Sequence, residues 1–329
     1  MKDAQVKGCP AVMRSVLGYV AASRASQGGA QSFMDATKFL IANMLRSMAK
    51  KIEIEVLYGQ AGYGTVAATT TALTTCVVTT SEWAPGIWAG AEGLTVEVRD
   101  VTGATSRGTF VISSVDMVGR VLTFTTAATL TAGDVIWHLG GYGNEFVGIH
   151  QILSTNTGTL FNINVGSYNL FRGNQYPAGS APLSFSKLNL AAARAVEKGM
   201  DGKLVALVNP RAWANMLSDQ SALRQYDSTF KKDNLENGSQ KLTFYSQNGE
   251  LEIIPSIYVK EGYAYMLSID DFVRVGSQDV SFNRPGSGEQ VFRELENAAG
   301  FELRLYTDQA IFCSSPGRSV IITGIVNNS

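Results

Sequence analysis

Histidine is nearly absent from this sequence, with two in 329 residues, His138 and His150. A nucleophilic triad needs a histidine base beside a serine or cysteine, and no G-x-S-x-G elbow accompanies either. Neither histidine lies in an HExxH pattern or beside a cysteine pair, so no zinc site is expected. Cysteine is scarce too. Cys9, Cys76 and Cys313 are odd in number, far apart and without a CxxC, which fits reduced structural thiols rather than a disulfide framework. Charge is sparse at 17% Asp, Glu, Lys and Arg, against roughly 25% in an average soluble domain. Lys and Arg number 27 and Asp and Glu 28, a net charge of -1 that excludes a strongly basic nucleic-acid binder and an acidic solvating tail. No apolar run approaches the roughly 18 residues of a membrane span, and the first ten residues hold no signal-peptide core.

The shortage of charge carries the compositional argument. Surfaces poor in Lys, Glu and Asp with a net charge near zero favour association, and interface cores are depleted of these residues. We expect much of the exterior to be covered by other subunits. The competing reading is a neutral polar surface of Gly, Ser, Thr and Asn.

Residues 1–30 read as an arm with little core of its own. Residues 31–58 read as one long helix. Phe33, Thr37, Leu40, Met44, Met48 and Ile52 recur at spacings of four and three, with Ile41 and Leu45 beside them and Asp35, Lys38, Arg46, Lys50 and Lys51 mostly on the other side. Gly59 is its stop signal. Such an element is about 40 Å long and needs a sheet or another long element to lie on.

The next stretch changes character, and lysine is absent from Ile52 through Ser186. Strands are expected at Leu73–Thr80, Leu94–Val101, Thr109–Val115, Val121–Thr125 and Val135–Leu139, divided by turn signals. They predict a small antiparallel β-sandwich or barrel. From Pro182 the pattern is α plus β. Ser184 or Ser186 caps a helix ending at Gly199, Lys203–Val208 is a buried strand, and Asn209-Pro210 starts a second helix. Asn248-Gly249 signals a hairpin between Leu242–Tyr245 and Leu251–Pro255. Strands follow at Tyr263–Ser268, Phe272–Gly276 and within Phe301–Gly324.

Candidate chemistry is thin. Gly59-Gln60-Ala61-Gly62-Tyr63-Gly64 and Gly140-Gly141-Tyr142-Gly143 lack the lysine of a phosphate-binding loop and read as hinges bounding the β-module. Gly286-Ser287-Gly288 reads as a flexible link. The carboxylate pairs Glu53 with Glu55 and Asp270-Asp271 read as solvated groups, although paired carboxylates in a cleft could serve glycoside hydrolysis or hold a cation. Asp270, Asp271 and an exposed Trp83 and Trp88 make a carbohydrate-binding or carbohydrate-hydrolysing protein one alternative. No catalytic, cofactor-binding or metal-binding residue is assigned, no cofactor is expected, and no aromatic-interleaved basic patch stands out.

Four passages in order carry a resemblance. "QSFMDATKFLIANMLRSMAKKIEIEVLYGQAGYG" resembles the spine helix of the major capsid proteins of tailed bacteriophages, the Hong Kong 97-type fold. "LSFSKLNLAAARAVEKGMDGKLVALVNPRAWANMLSD" resembles the helix, buried strand, Asn-Pro and second helix of their axial domain. "NGELEIIPSIYVKEGYAYMLSIDDFVRVG" resembles the strands that follow, and "AAGFELRLYTDQAIFCSSPGRSVIITGI" the returning peripheral-domain strand. The resemblance covers roughly three quarters of the chain. It implies an α+β Hong Kong 97-type capsid fold, with a long spine helix, peripheral and axial domains, and an inserted small antiparallel β-sandwich or barrel module. The implied divisions are an N-terminal arm at 1–30, the spine helix of the peripheral domain at 31–64, the β-module at 65–143, a connecting region at 144–182, the axial domain at 183–285 and a return to the peripheral domain at 286–329.

The function it implies is structural and not enzymatic. Copies form a homo-oligomer of pentameric and hexameric capsomers, closing an icosahedral head that encloses double-stranded DNA without sequence-specific binding. The expected place is the virion, with assembly in the host cytoplasm, without a membrane partner and with scaffolding, portal and cement proteins as possible partners. The family's extended loop before the spine helix is expected to be very short or displaced, and a separate scaffolding protein is expected. An encapsulin-like compartment shell shares the fold and remains the other shell reading.

Overall fold

The computed structural model describes residues 3–18, 36–217, 242–246, 249–283, 291–296 and 298–328. Five helices carry the labels α1 (Ala36–Tyr58), α2 (Pro85–Trp88), α3 (Ile149–Ser154), α4 (Phe185–Val196) and α5 (Pro210–Leu217). The strands are β1 (Cys9–Gly18), β2 (Gly64–Thr65), β3 (Thr70–Val77), β4 (Thr95–Arg99), β5 (Ser106–Asp116), β6 (Val121–Leu130), β7 (Val135–His138), β8 (Thr159–Leu160) and β9 (Ile163–Asn164). They continue with β10 (Gln175–Ala181), β11 (Leu204–Val208), β12 (Leu242–Ser246), β13 (Gly249–Pro255), β14 (Tyr263–Ser268), β15 (Phe272–Ser281), β16 (Phe292–Glu294), β17 (Gly300–Cys313) and β18 (Val320–Ile325).

The apolar stripe of α1 does what its period requires. Met44 and Met48 are buried against Leu303 and Leu305 of β17, with Leu40, Ile41, Ile52, Met13 and Val280 packed around them. The sheet below has the order β1-β17-β15, with β16 also paired to β17. Phe33 and Asp35 lie outside the described residues. β1 is a strand that the sequence reading leaves in the arm. It pairs antiparallel along β17 from Cys9 opposite Gln309 to Gly18 opposite Gly300. Only Cys9 and Leu17 of it are buried, so its hold comes from backbone pairing more than from a core.

A second sheet has the order β10-β18-β14-β11-β13-β12. Helix α4 lays Leu188, Ala191, Ala192 and Ala195 on it, in one core with Leu204, Ala206, Val208, Met266 and Ile322. The expected caps are present. Ser184 Oγ accepts from Lys187 N at 3.4 Å, and Asn209 Oδ1 accepts from Arg211 N at 2.9 Å with Pro210 first in α5. Ser246 stands opposite Gly249, while Asn248 of the expected turn lies outside the described residues, as do Gly286-Ser287-Gly288. The segments expected as one unit, 183–285, feed two sheets: β11 to β14 join this one, and β15 joins β1 and β17.

The third sheet runs β2-β7-β4-β5-β6-β3, antiparallel throughout. Val66 bridges Val78, and Thr79 N donates to Thr65 O at 2.8 Å. The residues beginning at β2 therefore pair on both flanks, which closes the sheet into a barrel and removes its edges. Val96, Val98, Ile112, Leu122, Phe124 and Ile136 fill it, the alternation read from the sequence. The barrel is not a bead on a string. Its core is continuous with Tyr58 of α1, Ile152 of α3 and Tyr265 of β14, so the segment does not own a separate core. Of the glycines expected as hinges, Gly140 and Gly143 have open space around them, whereas Gly59 is a point of close crossing with Gly148. A Cβ on Gly59 would lie 2.2 Å from Phe146 O, and one on Gly148 would lie 2.5 Å from Gly59 N. Only two bare backbones can cross there.

Candidate functional site

Two buried polar hubs and the exterior are the places where this fold could act. The first hub joins all three layers. The Lys260 side chain, 1% exposed, donates to Glu82 Oε2 at 2.6 Å and Gly62 O at 3.0 Å, and its Nζ lies 4.4 Å from the centroid of the Tyr58 ring. Tyr58 Oη accepts from Lys260 N at 2.8 Å, and Tyr263 Oη donates to Glu82 Oε1 at 2.6 Å. Burial pulls the Glu82 pKa up, but the Lys260 charge and these hydrogen bonds hold it down at about 2. His150 belongs here, its Nδ1 2.9 Å from Tyr265 Oη. Burial, with the Lys260 charge, lowers its pKa to about 4, so the ring is neutral. Lysine, carboxylate and tyrosines answer one another, which makes the hub a clamp between α1, the barrel and β14.

The second hub lies where β1, α1 and the crossing loops meet. Glu55 pairs with Lys51 at 2.7 Å, and Tyr63 Oη donates to Glu145 Oε1. Gln60 Nε2 donates to Glu145 O at 2.6 Å. Glu145 is buried, and its Oε2 has no partner among the described residues. Burial, reinforced by Glu55, raises its pKa to about 7 against the pull of Tyr63 and Lys51. A carboxyl whose folded pKa is raised favours the fold when protonated, and it costs stability as pH rises from about 4.5 through 7. His138 and His150, both lowered by burial, oppose this below pH 6.5. The variant difference isolates the carboxyl. Glu145→Gln is expected to gain about 2 kcal/mol over wild type at pH 8 and almost nothing at pH 5, read from urea midpoints at each pH. An equal difference at both values would refute it.

The sequence candidates scatter. His138 packs on Tyr63 with centroids 4.3 Å apart, and among the described residues no serine or cysteine is bonded to either histidine, the His150 partner being Tyr265 Oη. Glu53 is exposed as read, whereas Glu55 is buried, because one helical step of two residues turns it from solvent to the core. Asp270 is exposed as well. Asp271 is buried instead, accepting from Ser314 Oγ at 3.0 Å. Trp83 and Trp88, expected on the surface, are 1% and 0% exposed and stack with centroids 6.1 Å apart. A cleft of about 430 Å³ is lined by Trp137, Tyr142, Gln60, Gln151, His150 and Asp100, among others, with Asp100 the one carboxylate in its wall. The carbohydrate alternative thus loses its tryptophans and its carboxylate pair. All three cysteines are buried and free. Among the described residues no cluster of His, Cys, Asp and Glu is placed to hold a metal ion, and no helix is long and apolar enough to cross a membrane.

The exterior holds what sequence reading missed. Phe39 and Leu45 of α1 are 55% and 41% exposed, and Val12 and Val16 of β1 and Val118 at the β5–β6 turn are exposed too. The helical period alone assigns Leu45 to the stripe, yet it stands at the stripe's margin and the sheet below does not reach it.

No family model matches the sequence, and no curated protein matches it. Solved structures do. A chain of the cyanophage A-1(L) capsid asymmetric unit superposes with a TM-score of 0.52 at 10% identity, covering 96% of this chain and 77% of that one. A chain of the satellite phage P4 procapsid that includes the size determination (Sid) protein gives a TM-score of 0.42 at 9% identity, over 100% of this chain and 75% of that one. The holo-SrpI encapsulin complex from Synechococcus elongatus PCC 7942 gives 0.33 at 13% identity, over 55% of this chain and 62% of that one.

Proposed function

We propose that this chain, which has the fold of a phage capsid subunit, is the wall-forming protein of a tailed-phage head. The observation that carries the reading is the superposition on the cyanophage capsid chain over nearly the whole length, at a TM-score of 0.52. Copies meet through heterologous contacts that close into pentamers and hexamers. In Hong Kong 97-type terms, α1 is the spine helix, the β1-β17-β15 sheet the peripheral layer, the β10 to β12 sheet the axial domain, and the barrel an inserted module. The shell encloses double-stranded DNA and resides in the virion after assembly in the host cytoplasm, with scaffolding, portal and cement proteins as its further partners. The protein's work is geometric rather than catalytic.

The exposed apolar groups supply the physical support. Phe39 and Leu45 share α1 with Lys38, Arg46 and Lys50, and no acidic residue precedes Glu53 within the helix. That surface, apolar with a cationic margin, suits a neighbouring subunit. Electron microscopy of the expressed protein is expected to show hollow closed particles. A stable monomer at high concentration, with no particles under any assembly condition, would sink the reading. Leu45→Glu is expected to keep the wild-type thermal transition, because its site is exposed, and to cut particle yield by tenfold or more on the same grids. Unchanged particle yield would remove α1 from the subunit contact.

A further inference from the structure

Glu145 is 3% exposed, and its Oε2 has no hydrogen-bond partner among the described residues. The titratable groups that act on it come from every element packed around it. Lys51 and Glu55 do so from α1, Tyr63 from the turn before β2 and Cys9 from the start of β1. Burial keeps the Tyr63 hydroxyl and the Cys9 thiol protonated, and the His138 ring against Tyr63 is neutral as well. Two carboxyls therefore share one cation, and Lys51 is already bonded to Glu55 at 2.7 Å. An ionised Glu145 is a second buried negative charge with no counter-charge of its own.

The loop that carries Glu145 has room to move. Gly140 and Gly143 have φ of 72° and 74°, and a Cβ on either would meet nothing within 4 Å. Backbone torsions there can change without collision. In its present position the loop is folded over the carboxyl. A Cβ on Gly141 would stand 2.4 Å from Glu145 Oε1, and Asn144 N and Glu145 N both donate to Gly141 O, at 3.0 and 3.1 Å. Outside the loop stands Lys7. It is exposed, its Nζ donates to Gly143 O at 3.3 Å, two residues from Glu145, and no carboxylate pairs with it among the described residues. Tyr142 of the loop lies edge-on to Trp137 of β7 at 5.3 Å and beneath the Arg99 guanidinium, so the loop also joins the barrel to α1.

We propose that residues 140–145 are a proton-operated latch: with Glu145 protonated the loop is shut against α1 and Tyr63, and with Glu145 ionised it swings outward on Gly140 and Gly143 and sets the carboxylate beside Lys7. The shut form prevails at low pH, and opening grows as pH rises from about 4.5 through about 7. Release uncouples the last strand of the barrel from the α1 junction while the rest of the core stays folded. The inference does not rest on the capsid reading.

The test is hydrogen exchange of the full chain at pH 5.5 and pH 8.5, with intrinsic exchange rates divided out. The amides of Asn144 and Glu145 are expected to lose protection roughly tenfold or more between the two values, while those of β11 stay as they were. Glu145→Gln keeps the shape of the side chain without the charge, and its loop is expected to be equally protected at both. Lys7→Gln is expected to shrink the wild-type ratio between the two pH values by about two- to fivefold, the worth of an exposed ion pair. Taking the ratio cancels the lost bond to Gly143 O, which acts at both values. A loop indifferent to pH in wild type, an equal change in β11, a Glu145→Gln loop that still opens with pH, or an unchanged ratio in Lys7→Gln would overturn the inference.

Discussion

Lys260→Met is expected to destabilise the protein by about 3–5 kcal/mol, because it strands the Glu82 carboxylate between Tyr263, Tyr58 and the barrel wall without its counter-charge. The loss is read from the chemical denaturation midpoint at pH 7. The effect has a pH signature. Glu82 is held at about 2 by Lys260 against burial, so its contribution is present above its ordinary value near 4.5 and fades as pH falls toward 2. Wild type should lose stability across that window, and Lys260→Met should lose much less. Pairing Lys260→Met with Glu82→Gln removes the stranded charge and is expected to recover a large part of the loss. A single variant as stable as wild type, or no recovery in the double variant, would show that the clamp is not what joins α1, the barrel and β14.

Met44→Asp is expected to abolish folding. Met44 is 4% exposed and sits in the seam between α1 and the β1-β17-β15 sheet, beside Met48, Leu303 and Leu305. An aspartate there is a buried charge, with no cation among the residues of that seam to meet it, and burial of an unpaired charge costs more than a marginally stable domain can spare. The expected readout is loss of the cooperative thermal transition, with the chain in the insoluble fraction. Met44→Leu conserves volume and apolarity and should cost under about 1.5 kcal/mol. A folded, soluble Met44→Asp would mean that α1 packs elsewhere. Against Leu45→Glu, one residue along the same helix, the pair separates the face that folds the subunit from the face offered to a neighbour.

Local signals were legible wherever the backbone's needs are local. The α1 stripe, the Ser184 and Asn209 caps, and the alternation of Val96 and Val98 with Glu97 and Arg99 all follow from periods of 3.6 and 2 or from orphan backbone donors, which a window of a few residues encodes. β1 was missed because its ten residues bury only their two ends. Its strand character comes from β17, nearly three hundred positions away, and no local pattern announces a partner at that distance. Trp83 and Trp88 were misplaced for a related reason: they sit in loop-like sequence, yet α2 folds back under the turn at Ile257, where Gly86 N donates to Ile257 O at 2.8 Å.

What the sequence determined by itself was the inventory of elements and their faces, since periodicity, caps and turns act over a few residues. Tertiary structure alone decided the closure of the barrel, the burial of Glu55, Asp271 and Glu145, and the Gly59–Gly148 crossing. The physical reason is that burial and electrostatics depend on which distant segments share a neighbourhood. Spacing along a chain does not carry that information until the chain has folded.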